Sequence, residues 1–94
     1  EPYNEQYLQA ARENASALQK QHPSHPSNTE VANYIRRMSE AYASCLYSTG
    51  RFYEKKRKAS SAKIYYSIAL ENFPNTSYVA KCNRRLEKLS KYVS

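Results

Sequence analysis

The residues with the most chemical potential lie in one stretch, YSTGRFYEKKRKAS (Tyr47–Ser60). There an aromatic pair, Phe52 and Tyr53, runs among five cations, Arg51, Lys55, Lys56, Arg57 and Lys58. Rings interleaved with Lys and Arg can stack nucleobases while neutralising phosphates. The same cations can meet an acidic protein surface, or simply face water at a turn. Other candidates offer less. HPSHPS (His22–Ser27) supplies two imidazoles three positions apart, and the chain has no further histidine. Two neutral ligands fall short of a zinc site, so a flexible linker is expected there. Cys45 and Cys82 are far apart with no CxxC spacing, which predicts free buried thiols acting as small apolar residues. Nothing in the chain has a Ser/His/Asp order, a carboxylate pair that must converge or a phosphate-cradling glycine loop. The reading is a non-enzyme with no cofactor and no metal.

The 94 residues suit one domain with one modest core, and a single domain over residues 1–94 is expected. No apolar run is long enough to cross a bilayer. The net charge of +7 is unevenly placed. Residues 1–50 hold four basic and five acidic groups, whereas residues 51–94 hold eleven basic and three acidic groups. The basic character therefore belongs to the second half, and it favours acidic proteins, anionic lipid or nucleic acid.

The elements that must position these cations are all helical. A single glycine, few β-branched residues and breaks confined to HPSHPSN, FPNTS and a softer one inside EKKRKAS leave four helical segments. The first, about Asn4 to Gln21, has a thin apolar face of Tyr7, Leu8, Ala11, Ala15 and Leu18. The second starts at a capping box, Ser27-x-x-Glu30. It carries Val31, Tyr34, Ile35, Met38, Tyr42, Cys45, Leu46, Thr49, Phe52 and Tyr53 as one apolar stripe, which makes it a long helix. On this stripe Phe52 and Tyr53 face the core, which removes the stacking platform that nucleic-acid binding would use. The third, about Lys58 to Asn72, is apolar on two adjoining faces, Ala62, Tyr65, Tyr66, Ala69 and Phe73 beside Ile64, Ile68 and Leu70, and should pack between neighbours. The fourth sets Val79, Cys82, Leu86, Leu89 and Val93 against a basic back of Lys81, Arg84, Arg85, Lys88 and Lys91. Among the tyrosines, Tyr42, Tyr53 and Tyr66 are core by spacing. Tyr3, Tyr47, Tyr65, Tyr78 and Tyr92 are candidates for partly exposed rings.

The chain also repeats itself. VANYIRRM (Val31–Met38) matches VAKCNRRL (Val79–Leu86), 48 residues on, a period typical of stacked helix pairs. Counting back from Pro74 as the last position of a tetratricopeptide unit of about 34 residues puts Ala69, Tyr66, Ala62, Tyr53, Gly50 and Leu46 on its small and large positions. Thr49 stands where that pattern usually has Leu. Gly50 and Ala62 would let two antiparallel helices approach, and the larger residues would fill the gaps. The fold class is therefore all-α, a tetratricopeptide-like stack of about four antiparallel helices, one of them long.

These elements together, Tyr42 to Leu89, resemble the C-terminal repeats of the BamD (YfiO/ComL) family of outer-membrane assembly lipoproteins. That family's long helix ends in a pattern like FYxKRGxYxAA, its next helix in LxxYPDT, and the following helix begins xYAxxA. Here the counterparts are FYEKKRKASSA (Phe52–Ala62), LENFPNT (Leu70–Thr76) and SYVAKC (Ser77–Cys82). The glycine of the family's turn is Arg57 here, so the corner is expected to close without a residue that favours positive φ. The resemblance implies the C-terminal portion of a periplasmic scaffold, tethered to the outer membrane by a lipid anchor outside this chain. It implies docking onto the POTRA domains of the barrel component, BamA, and onto other assembly lipoproteins. By exposure, the partner-binding candidates are Arg51, Lys55, Lys56, Arg57 and Lys58 at the corner and Arg84, Arg85 and Lys88 on the last helix. A generic tetratricopeptide adaptor or secretion chaperone, and a small basic nucleic-acid binder, stand as alternatives.

Overall fold

A computed structural model describes residues 4–92 of the chain. The fold is all-α: the described residues form four helices and no strand. They are α1 (Glu5–Gln21), α2 (Ser27–Lys55), α3 (Ala59–Asn72) and α4 (Val79–Leu89). Tyr3 and Val93, expected as an exposed ring and as the end of the last apolar stripe, lie outside the described residues. The chain divides into two compact units, Glu1–Ser39 and Glu40–Ser94, with the boundary inside the unbroken helix α2.

In the first unit, Asn4 caps α1 by accepting a hydrogen bond from the Tyr7 amide at 3.0 Å. Leu8 is the one residue of the thin α1 stripe that is fully buried, while Tyr7 stays half exposed. Its hydroxyl lies 3.4 Å from that of Tyr34, and Arg12 donates to the Ser39 hydroxyl at 3.2 Å. The His22 amide closes α1 on the Leu18 carbonyl, and Pro23 stops the helix. The expected flexible linker is instead a hydrogen-bonded turn. The Asn28 side-chain amide donates to the carbonyls of His22 and Pro23, at 2.9 and 3.1 Å, and the Ser27 amide donates to His25 Nδ1 at 3.0 Å. Ser27 is already the first helical residue of α2, rather than the cap its spacing suggested.

In the second unit, α2, α3 and α4 share a core of Tyr42, Ala43, Leu46, Ala62, Tyr66, Ala69, Phe73, Cys82 and Leu89. Two expectations about its faces are corrected. Phe52, placed on the core stripe, is 52% exposed, and Cys45 and Tyr34 are exposed with it. At about 100° per residue, Tyr34, Cys45 and Phe52 fall within about 20° of one line. The buried line is the neighbouring one through Tyr42, Leu46 and Gly50. Likewise Ile64 is 58% exposed. It stands two positions from both Ala62 and Tyr66, about 200° around the helix, so α3 is covered on one of its two apolar faces.

The approach of α2 to α3 occurs where the spacing placed it. A Cβ on Gly50 would meet ring atoms of Tyr66 at 2.5, 2.7 and 2.8 Å, so the α2 backbone lies directly against the Tyr66 ring. The segment before α4 is tied down by Glu40, whose carboxylate accepts from the Ser77 amide at 2.8 Å and from the Ser77 hydroxyl at 2.7 Å.

Candidate functional site at the basic corner

The corner between α2 and α3 is built by its backbone. Arg57 has φ 61°, in the left-handed region. Its amide donates to the Glu54 carbonyl at 2.9 Å, and the Lys58 amide donates to the Tyr53 carbonyl at 2.9 Å. This pair of bonds is a Schellman ending, and Arg57 takes the position that glycine usually fills. The corner does close without a glycine: the left-handed geometry is kept, and an arginine adopts it. Holding a residue with a Cβ there costs about 1–2 kcal/mol, against two carbonyls satisfied.

The same turn of helix carries the acid that organises the site. Glu54 accepts from Arg85 Nε at 2.9 Å and from Arg85 Nη2 at 2.5 Å, a two-pronged pair that joins α4 to the end of α2. The Tyr66 hydroxyl also donates to Glu54, and Arg51 Nη1 stands 3.5 Å away. The Glu54 side chain is 11% exposed. Its carboxyl is pulled from 4.5 down to about 2, first by the Arg85 hydrogen bonds, against the opposing effect of burial, with the Tyr66 hydroxyl and the charges of Arg85 and Arg51 adding to the pull. The Tyr66 phenol is pushed up, by burial first and then by the neighbouring carboxylate. Arg85 holds its proton more tightly because of its hydrogen bonds to Glu54.

The eight cations read as contact candidates therefore separate. Lys55, Lys56, Arg57 and Lys58 are exposed at the corner, and Arg84 and Lys88 are exposed on α4. Arg85, expected on the basic back of α4, turns inward, since it lies three positions from Cys82 and four from Leu89 on the buried side. Arg51 stands beside the same carboxylate. Because Glu54 is the only acid between Arg51 and Lys58 and is already occupied, the four corner cations have no acidic neighbour in that stretch.

Sequence reasoning missed three further features. Phe52 presents its ring beside the corner with the Lys56 ammonium 5.5 Å from its centroid and Tyr53 edge-on at 5.3 Å, while Tyr53 stacks on Tyr65 at 5.5 Å. Lys81 stands 4.8 Å from the Tyr78 ring, which packs on Tyr47. A cleft of about 510 Å³ opens between the end of α4 and the corner, lined by Glu54, Lys55, Arg57, Ala59, Leu89 and Tyr92. The lone acid inside a run of bases was the available signal for Glu54. Its partner Arg85 lies 31 residues away, and nothing local announces it.

The two histidines lie close together in the turn before α2. Their rings meet edge to face at 6.3 Å, and no cluster of three or more His, Cys, Asp or Glu suited to a metal occurs among the described residues. Both cysteines are free, Cys45 exposed and Cys82 buried, and burial pushes the Cys82 thiol up. No described helix is long and apolar enough to cross a membrane. Compared with protein-family models, curated proteins and solved structures, the chain matches none.

Proposed function

We propose that the chain is a non-enzymatic scaffold that binds partner proteins through its helical repeats, with the basic corner as the main contact. The observation that supports this best is the run Lys55–Lys58, four exposed cations on a hydrogen-bonded turn whose one neighbouring acid is engaged internally. Such a surface meets an acidic partner without first having to break its own salt bridges. In the finer form suggested by the resemblance to the BamD family, the scaffold serves β-barrel assembly at the periplasmic face of the outer membrane. The partners are then the POTRA domains of the barrel component and other assembly lipoproteins.

The test is binding of the cognate barrel component's POTRA domains to the chain and to two charge-reversed variants, Arg57→Glu and Arg84→Glu/Lys88→Glu. Weakening by either variant, with helicity intact, supports the proposal. Absence of binding by the unaltered chain, and by the longer protein that contains it, removes it.

The exposed Phe52 ring favours a second reading, since the reason for setting nucleic acid aside was that this ring faced inward. A single ring already approached by Lys56 and Tyr53 is a small platform. That reading requires oligonucleotide affinity that falls steeply with salt.

A further inference from the structure

We infer that the cleft lined by Glu54, Lys55, Arg57, Ala59, Leu89 and Tyr92 receives an extended acidic segment of a partner protein, its carboxylates meeting Lys55 and Arg57 and an apolar side chain meeting Leu89 and Tyr92. The inference rests on the corner being a protein contact and specifies which chemistry it takes.

Its volume, about 510 Å³, falls among those of ligand-binding clefts, so it can take side chains rather than only graze a flat surface. The lining is of two kinds. Lys55 and Arg57, both exposed, supply positive charge. Leu89, buried, and Tyr92, 65% exposed, supply apolar surface. Among the described residues the only acid in the lining is Glu54, and its charge is already met by Arg85 and Arg51. An incoming carboxylate therefore finds two cations and no uncompensated anion. Ala59 adds only a methyl to the lining. Arg and Tyr are the residue types that most often anchor protein interfaces, and here one of each faces the same space.

Charge complementarity selects the occupant. The half of the chain that forms the cleft carries eleven basic groups against three acidic ones, which draws acidic chains and repels basic ones. A nucleic acid would use the cations and could stack a base on Tyr92, but it has no aliphatic side chain to set against Leu89. An extended peptide that alternates acidic and apolar residues uses both. Arg57 is also informative because glycine would satisfy its backbone at no cost, so what the arginine adds is its side chain at the rim of this cleft.

The experiment titrates the isotope-labelled chain with a short acetylated peptide in which a leucine and a phenylalanine are flanked by aspartates and glutamates. Amide shifts should concentrate on Lys55, Arg57, Ala59, Leu89 and Tyr92. Arg57→Gly and Tyr92→Ala should each weaken binding about tenfold, and Arg84→Glu, outside the cleft, by less than about twofold. Arg57→Gly separates binding from folding, because it should melt higher while binding worse. Shifts spread evenly over all cations, equal weakening by Arg84→Glu, or full competition by oligothymidylate or phosphatidylglycerol vesicles would overturn the inference in favour of unspecific charge. If the peptide fails while POTRA domains still bind, the cleft is refuted and the scaffold stands. If neither binds, both fall.

Discussion

Replacing Gly50 by alanine should destabilise the protein, the reverse of what this change does in most helices. Alanine in place of a helical glycine gains about 1 kcal/mol of intrinsic propensity. At Gly50 the new methyl would lie 2.5, 2.7 and 2.8 Å from three atoms of the Tyr66 ring, whereas carbon atoms pack favourably at about 3.5–4.0 Å. The ring would have to retreat by about 1 Å. It has no room to do so: Tyr66 is fully buried, packs against Tyr47 at 5.8 Å, and is held at its hydroxyl by Glu54. Overpacking of this kind costs about 1–3 kcal/mol, and a held ring puts Gly50 at the upper end. After the propensity gain the net loss is about 2 kcal/mol. At about 4–8 °C per kcal/mol for a domain of this size, the melting temperature falls by about 8–16 °C.

Thermal and urea unfolding followed by far-UV circular dichroism measures this directly. On a Tyr66→Leu background the methyl meets no ring, so Gly50→Ala should become neutral or stabilising there, giving a coupling energy of about 2–3 kcal/mol between the two sites. A Gly50→Ala variant that melts higher than the parent, as at an open helical position, would refute the close approach.

Three further outcomes follow from the same geometry. Arg57→Gly should raise stability by about 1 kcal/mol in urea titration, because it removes the strain of a Cβ at φ 61°. Glu54 has its carboxyl lowered from 4.5 to about 2, so its contribution is complete above about pH 4.5 and is lost as pH falls toward 2; it amounts to about 3 kcal/mol at most. The urea midpoint should drop over that window, and Glu54→Gln should flatten the drop. Ala62→Leu, at a position with no exposure, should cost about 1–3 kcal/mol, whereas Lys56→Ala on the exposed corner should stay within about 0.5 kcal/mol of the parent; equal melting shifts would mean that the two sides are misassigned.

What the sequence made legible is what short-range spacing encodes. The four helices follow from apolar recurrence and from proline-bearing breaks, and Gly50, Ala62 and Tyr66 from a pattern of small and large residues. Hydropathy shows that Phe52 and Ile64 are apolar but not which arc of a helix its neighbours cover, and each lies about 200° from a buried position. The pairing of Glu54 with Arg85 spans 31 residues, beyond any periodic signal, so Arg85 read as one more surface cation. At Arg57 residue type pointed away from positive φ, and the two backbone bonds of 2.9 Å that close the turn outweighed that preference.

Glu54 links these observations, because its two ends do different work. Its backbone carbonyl accepts the Arg57 amide and so closes the corner, while its side chain engages Arg85 and so removes the one negative charge beside Lys55–Lys58. Glu54→Gln separates these roles: the backbone bond remains, the corner becomes more positive, and the tie to α4 weakens. A partner held by unspecific charge would therefore bind Glu54→Gln more tightly than the parent. A segment seated in the cleft would bind it more weakly, since Leu89 ends α4, Tyr92 follows three residues on, and Arg85 ties that helix to α2. The sign of that change, read from the same peptide titration at two salt concentrations, distinguishes a charged surface from a shaped site.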